Sequence, residues 1–130
     1  MCKIATAQIG YKPVENQQAI DITVKTGTGL GRVFAPTWEL VSLSKKKQIP
    51  WKDYITGYTG LMRHQYVINQ KAFLELLSIP EPVICCYCND TSRTTKHCHR
   101  YVLIDILQKI ATKHDLPFEY IGECSNADKT

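Results

Sequence analysis

The chain has 130 residues, of which 44% are hydrophobic and 22% are charged, values that fit one soluble globular domain. Its net charge of +4 is too mild for a dedicated DNA-binding surface, but it suits an anionic small molecule or a weak nucleic-acid contact. The sequence has neither an apolar run near the ~18 residues of a membrane span nor a signal-peptide pattern, so we expect a cytoplasmic protein without a membrane partner.

The first third of the sequence predicts two strands and a glycine-rich turn. Residues 2–8 form an apolar strand pattern, which cannot continue past Pro13 because proline lacks a backbone donor. Residues 19–25 alternate apolar and polar side chains, which is typical of a second strand. Residues 27–32 contain three glycines and predict a turn between this strand and the first helix.

Three helical patterns follow the turn. Pro36 opens the first, in which we expect Trp38 to face inward. The second begins at Pro50 and repeats aromatic and aliphatic side chains at i, i+3, i+4 and i+7 over residues 51–62. Asn69 is expected to cap a third, short helix. The members of the second stripe that we expect in the core include Trp51, Tyr54 and Tyr58.

The last part of the chain predicts a strand, a helix and a strand. Residues 83–88 are apolar on both faces, which is typical of a central strand in a parallel sheet. A helix over 98–113 and a strand over 116–121 follow. The element order predicts a small three-layer Rossmann-like α/β domain over residues 1–123, with a mostly parallel sheet of about four strands covered by helices. Residues 124–130 are predicted to form a polar tail.

Four of the six cysteines and two of the four histidines lie between residues 85 and 99. In a cytoplasmic protein, such cysteines are expected as thiols, metal ligands or core residues and not as disulfides. Cys85 and Cys86 fall within the apolar strand, where we expect them to be buried. A zinc-stabilised structural or interaction module is the alternative interpretation. Its candidate ligands would be Cys86, Cys88, Cys98 and His99. Their spacing does not match the usual zinc knuckle, so we assign no metal site.

The junction between the central strand and the following helix also predicts an anion site. The first free N–H groups of a helix and its dipole attract phosphate or carboxylate. Arg100 lies in the first turn and is suited to two-pronged binding of such a group, and Cys88 ends the strand beside it. The alternative is that Arg100 pairs with a carboxylate of the protein itself.

Cysteine chemistry is a further hypothesis for this junction. Cys98 near a helix N-terminus, beside His99 and a basic residue, is expected to hold more thiolate than a free cysteine. Cys88 is the second candidate. A thiol that simply packs is an equally good interpretation, because the sequence lacks the C-x5-R spacing of a cysteine phosphatase loop.

The glycine turn gives a weaker signal. Gly27-x-Gly29-x-Gly31 lacks the G-x-G-x-x-G spacing of a dinucleotide fingerprint, and an ordinary turn explains it as well. Its position adds weight, because it follows a strand, is flanked by Lys25 and Arg32, and lies on the sheet edge expected for the anion site. Exposed backbone N–H groups there are suited to a phosphate.

Three motifs along the chain share the pattern of a known family. They are the APTWEL segment at residues 35–40, the tryptophan-tyrosine helix at residues 51–58, and Cys98-His99-Arg100 at the start of a helix. Together they resemble domain-of-unknown-function family 488, the YeaO-like proteins, over residues 2–123. The resemblance implies a small cytoplasmic α/β protein of bacterial or phage origin and supplies no reaction. The chain departs from the family in a longer, more basic loop over residues 89–97.

The sequence therefore predicts a small domain that binds a phosphate-bearing ligand, either a nucleotide or a nucleic-acid fragment, at the sheet edge. Arg100 and backbone N–H groups would hold the anion, and Lys25 or Arg32 would add charge. Trp38 or Tyr11 would stack on a base. A catalytic version adds Cys98 or His99 as nucleophile or general acid–base. Whether the protein is an enzyme, which cofactor it uses and how it assembles are left open.

Overall fold

The computed structural model describes residues 2–25, 27, 29–45, 50–86 and 99–124. These residues form a sheet of four parallel strands together with α-helices, which confirms the predicted class of a small α/β domain. Within the same ranges, no helix is long and apolar enough to cross a membrane.

The sheet contains β1 (Cys2–Gln8), β2 (Gln18–Asp21), β3 (Pro82–Cys86) and β4 (Phe118–Cys124). Their spatial order is β2-β3-β1-β4. All five residues of β3 are buried, as predicted for a central strand, because β3 lies between β1 and β2. The apolar sequence of β3 therefore reflects burial on both faces of the sheet.

Two strands differ in extent from the prediction. β2 ends at Asp21, because the Asp21 Oδ1 atom accepts hydrogen bonds from the backbone N–H of Thr23 at 2.9 Å and from its hydroxyl at 2.7 Å. Such a local side-chain bond turns the backbone away from the sheet. β4 begins two residues later than predicted and continues to Cys124, the residue at which the sequence placed the start of the polar tail.

Four α-helices lie within the described residues: α1 (Trp38–Lys45), α2 (Trp51–Ile68), α3 (Gln70–Ser78) and α4 (His99–Lys113). A 3₁₀ turn, Gly29–Phe34, precedes α1. The predicted stripe of α2 is confirmed, since Tyr54 and Tyr58 are buried and Trp51 packs against the core with its ring stacked 4.9 Å from that of Tyr54.

One expectation for the helices holds in part and one is wrong. Asn69 is the N-cap residue of α3, as predicted, but its side chain does not cap the helix, because its amide nitrogen donates to Gln65 at the end of α2. Trp38 does not face inward: 57% of it is exposed at the first position of α1. The ring of Phe34, just before the helix, fills the core instead, and its carbonyl accepts the Tyr58 hydroxyl at 2.7 Å.

The two faces of the sheet are covered differently. The α-helices and the 3₁₀ turn pack against the face that carries Ile4, Ile20 and Ile84. The opposite face carries a small cluster of Ala5, Ala7, Val83 and Cys85, against which Ile9, Tyr11 and Cys124 pack. Among the described residues, the segment that follows β1 therefore contributes to the layer on this face.

Right-handed crossovers explain this arrangement. The connections from β2 to β3 and from β3 to β4 run in the same direction across the sheet, so their helices lie on the same face. The connection from β1 to β2 runs in the opposite direction and crosses the other face. At the adjacent carboxyl ends of β1 and β3, the connection after β1 therefore turns to one face of the sheet and the connection after β3 turns to the other. Such a topological switch point opens a crevice where α/β proteins commonly bind ligands.

Candidate functional site

Three segments meet at the carboxyl ends of β1 and β3, and we call this region the crevice. They are residues 9–11 after β1, residues 99–101 at the start of α4, and residues 123–124 at the end of β4. The backbone N–H of Ile9 donates to the carbonyl of Cys86 at 2.7 Å, which extends the pairing of β1 and β3 to the floor of the crevice. The parallel topology therefore gathers residues that are far apart in the sequence.

A buried ion pair dominates the crevice. The Arg100 Nε atom donates to Oε1 of Glu123 at 3.2 Å, and Nη2 donates to Oε2 at 2.8 Å. This two-pronged geometry is the strongest form of an arginine–carboxylate contact. The Arg100 side chain is 0% exposed and that of Glu123 is 16% exposed. Glu123 is thus the partner through which the pair reaches the surface.

The other donors of the guanidinium are also used. Its Nη1 atom donates to the Cys86 sulfur at 3.0 Å, and Nη2 also donates to the Tyr101 hydroxyl at 3.2 Å. The alternative in which Arg100 pairs with a carboxylate of the protein is therefore what the structure shows. With the arginine buried in this way, its main effect is to fix Glu123, and direct contact of Arg100 with a ligand stays a prediction.

Two tyrosine hydroxyls lie near the ion pair. Burial raises the pKa of Tyr101 to about 12, and burial also raises the pKa of Tyr120. The Tyr120 hydroxyl is 2.6 Å from the Thr6 hydroxyl on β1. Both phenols therefore keep their protons at neutral pH and can act as hydrogen-bond donors beside the Glu123 carboxylate.

His99 anchors the first turn of α4. Its Nε2 atom lies 3.2 Å from the carbonyl of Ile22, and its ring meets that of Tyr58 edge-on at 5.4 Å. Burial lowers the pKa of His99, so the ring is neutral at pH 7 and Nε2–H donates to the carbonyl. This contact ties α4 to the end of β2. The catalytic role of His99 stays a prediction, as does that of Cys98, which lies outside the described residues together with Cys88.

The two cysteines of β3 are packed thiols. Cys85 and Cys86 are buried in β3, as predicted. Burial raises the pKa of Cys85 to about 12, so this thiol is protonated at neutral pH and is a poor nucleophile. Tyr11 packs near Cys85 and Cys124 on the face of the sheet that carries Ala5 and Ala7, and burial raises the pKa of its phenol.

The glycine turn is shaped by its own packing. A Cβ atom on Gly27 would clash with the Thr23 carbonyl oxygen, and one on Gly31 would clash with the Asp21 carbonyl oxygen. Gly29 has a φ of +56°, which favours glycine. These contacts support the ordinary-turn interpretation, in which glycine lets the chain fold closely back on the end of β2.

The remaining candidate residues surround this turn. The Nη1 atom of Arg32 donates to the carbonyl of Val24 at 2.9 Å, so this side chain closes the turn. Lys25 and Trp38 are exposed. Because β2 pairs with β3, the turn lies on the same sheet edge as the start of α4, as predicted.

The described residues contain no group of three or more His, Cys, Asp or Glu side chains that could hold a metal ion. Two of the four candidate zinc ligands, Cys88 and Cys98, lie outside those residues. The other two candidates make different contacts: Cys86 accepts a hydrogen bond from Arg100, and His99 contacts a backbone carbonyl. The zinc module therefore stays an alternative without support from the described geometry.

Sequence reasoning missed Glu123 as a site residue, although the dipeptide Gly122-Glu123 follows the apolar core of the last predicted strand. The signal was available, because a polar residue at the carboxyl end of a parallel strand lies at the ligand-binding edge. The hydrogen bond from Arg100 to the Cys86 sulfur could not be predicted from the sequence, because it depends on how α4 packs against β3.

The comparisons with known proteins give one match. The fold and the crevice define a small parallel α/β protein with a polar site at the switch point. A protein-family model described as "Active DUF488-N3 subclade" matches residues 9–111, which is most of the chain. The chain therefore belongs to this DUF488 family, which confirms the resemblance found in the sequence motifs. No curated protein and no solved structure matches the chain.

Proposed function

We propose that the protein binds a nucleotide or another phosphate-bearing fragment of nucleic acid in the crevice between β1 and β3. The observation that carries the proposal is the Arg100–Glu123 ion pair at the switch point. Burying two charges costs free energy that an apolar pair would not, so such pairs are weak evidence for stability. Strongly constrained charges in a cleft are instead frequent at functional sites.

The chemistry of the crevice suits the two parts of a nucleotide. The Glu123 carboxylate accepts hydrogen bonds, as ribose hydroxyls require, and the buried arginine holds it in place. The first turn of α4 has no acidic residue, so its N–H groups favour phosphate, and Lys25 adds positive charge from the neighbouring turn. Tyr11 borders the crevice and Trp38 is exposed, which suits the predicted stacking on a base.

The proposal also has a catalytic form. The matched family model is described as an "active" subclade, and this description names neither a reaction nor a site. Cys98 and His99 are the predicted nucleophile and acid–base. Glu123 adds a carboxylate that Arg100 holds in place and whose side chain is 16% exposed. A carboxylate held in this way is suited to orient a hydroxyl or a water molecule.

The direct test is calorimetric titration with ADP, AMP and inorganic phosphate. We expect saturable binding of ADP and AMP with one site per chain, and weaker binding of phosphate alone because it lacks the sugar and base contacts. An absence of heat and of any rise in Tm at millimolar ADP would refute the proposal.

Variants at exposed positions separate binding from folding. Lys25→Ala and Trp38→Ala remove exposed side chains, so each is expected to weaken ADP binding several-fold with little change in Tm. Lys71→Ala removes an exposed lysine on α3 and serves as the matched control. Arg100→Ala is unsuitable, because it would leave a cavity and deprive Glu123 of its partner. Stoichiometric zinc in the purified protein, with loss of stability on chelation, would favour the metal module instead.

A further inference from the structure

A groove of about 420 Å³ runs between α2 and α4, towards the opposite end of α4 from Arg100. On α2 its wall is a single helical stripe that continues the core stripe of that helix, and on α4 its wall is a shorter stripe with the same spacing. Val67 is 79% exposed and the neighbouring Ile68 is 59% exposed. The principal lining residues are Met62, Tyr66, Val67, Ile106 and Ile110.

Positive charges flank this apolar floor. Arg63 lines the α2 side and Lys109 lines the α4 side, and both are exposed. Lys113 extends the α4 side by one turn, with its ammonium 5.5 Å from the centre of the Tyr66 ring. The lining contains no acidic residue. The groove therefore combines an apolar floor with rims of one sign of charge.

We propose that this groove binds an amphipathic helix of a protein partner that carries acidic residues beside its apolar stripe. Two neighbouring helices that present such stripes side by side form a groove into which the side chains of a third helix can pack. The basic rims then face the acidic flanks of that helix, which adds electrostatic complementarity to the apolar contact. The proposal is independent of the nucleotide site, because it uses none of the crevice residues.

A second copy of the chain fits the groove less well. Docked by two-fold symmetry, it would bring the same groove surfaces together and place the basic residues Arg63 and Lys109 of both copies in one interface. Like charges in such an interface oppose association.

The test uses ¹⁵N-labelled protein and a synthetic helical peptide of Leu, Ala and Glu, with Leu at i, i+3, i+4 and i+7. We expect saturable chemical-shift changes confined to the facing stripes of α2 and α4. Val67→Glu, at an exposed groove position, and the double change Arg63→Glu/Lys109→Glu should each weaken binding by about tenfold or more. Lys52→Glu/Lys71→Glu, a matched reversal of exposed lysines outside the groove, should leave binding unchanged.

A peptide with Lys in place of Glu completes the experiment. It should bind the native protein weakly and the Arg63→Glu/Lys109→Glu variant more tightly, because the rim charges are then inverted. Equal binding of both peptides to the native protein would overturn the proposal, and so would an absence of shifts in the groove at millimolar acidic peptide. Sedimentation showing a dimer that Val67→Glu dissociates would assign the groove to a second copy and would also overturn it.

Discussion

Replacing Glu123 with glutamine should destabilise the domain far more than its place near the chain end suggests. The change leaves the Arg100 guanidinium, which is 0% exposed, without its counter-charge. Breaking a buried ion pair from one side costs about 3–5 kcal/mol. Glu123 is 16% exposed and glutamine keeps one acceptor oxygen, so we expect about 2–3 kcal/mol here. For a domain of this size, that loss lowers Tm by about 10 °C.

The assay is urea unfolding of a double-mutant cycle made of Glu123→Gln, Arg100→Met and the double variant. We expect the double variant to be more stable than the sum of the single losses predicts, with a coupling energy above about 1 kcal/mol. Glu119→Gln, an exposed change on the same strand, is the control and should stay within about 0.5 kcal/mol of the native protein. A loss below about 0.5 kcal/mol for Glu123→Gln, with no coupling, would refute the reasoning.

Three further predictions follow from burial and backbone packing. Because burial lowers the pKa of His99, the unfolded chain takes up a proton at this residue below pH 6.5 before the folded protein does. Urea unfolding should therefore show stability falling by up to about 1.4 kcal/mol per pH unit from pH 6.5 towards pH 5, and His99→Gln should lessen this slope. Iodoacetamide at pH 8, followed by peptide mass mapping, should modify Cys2 and Cys85 at least about 100-fold more slowly in the folded protein than in urea, because burial raises their pKa values to about 11 and about 12. Thermal unfolding should show that Gly31→Ala strongly destabilises the turn, because the added Cβ meets the Asp21 carbonyl, whereas Gly60→Ala stabilises α2 by about 1 kcal/mol.

Each of these predictions has its own control. For His99, the control is the same pH series on the native protein; besides burial, the groups that act on this ring are Cys86, the Ile22 carbonyl and Arg100. An unaltered slope in His99→Gln would contradict the pKa argument. Rapid alkylation of Cys85 in the folded protein would show that β3 is not buried as described, while a fast reaction at Cys98 would support the nucleophile hypothesis. Equal stability of the two glycine variants would contradict the packing of the turn.

The sequence predicted the scaffold well because periodicity reports burial directly. The apolar run of β3 indicated a central parallel strand, and the stripe that begins at Trp51 indicated α2 and its inward face. The placement of the glycine turn and the start of α4 on one edge followed from the parallel topology alone. These features depend on local pattern and on the handedness of crossovers, both of which can be inferred without coordinates.

The site was predicted only in part, because its contacts are between distant residues. Arg100 was identified, but its partner Glu123 lies 23 residues further along the chain and was not. Trp38 follows the pattern of an inward residue and yet is exposed, since Phe34 occupies the core position before it. Which aromatic residue near the start of α1 becomes buried is decided by tertiary packing and not by helical propensity.

The central claim is that the crevice between β1 and β3 binds a nucleotide, and the most direct measurement is an amide NMR titration of the native protein with ADP. The account predicts saturable shifts at residues 9–11, 99–101 and 123–124, the three segments that form the crevice. Residues of the groove between α2 and α4 should not respond. Saturable shifts confined to that groove, or no shifts at millimolar ADP, would contradict the account.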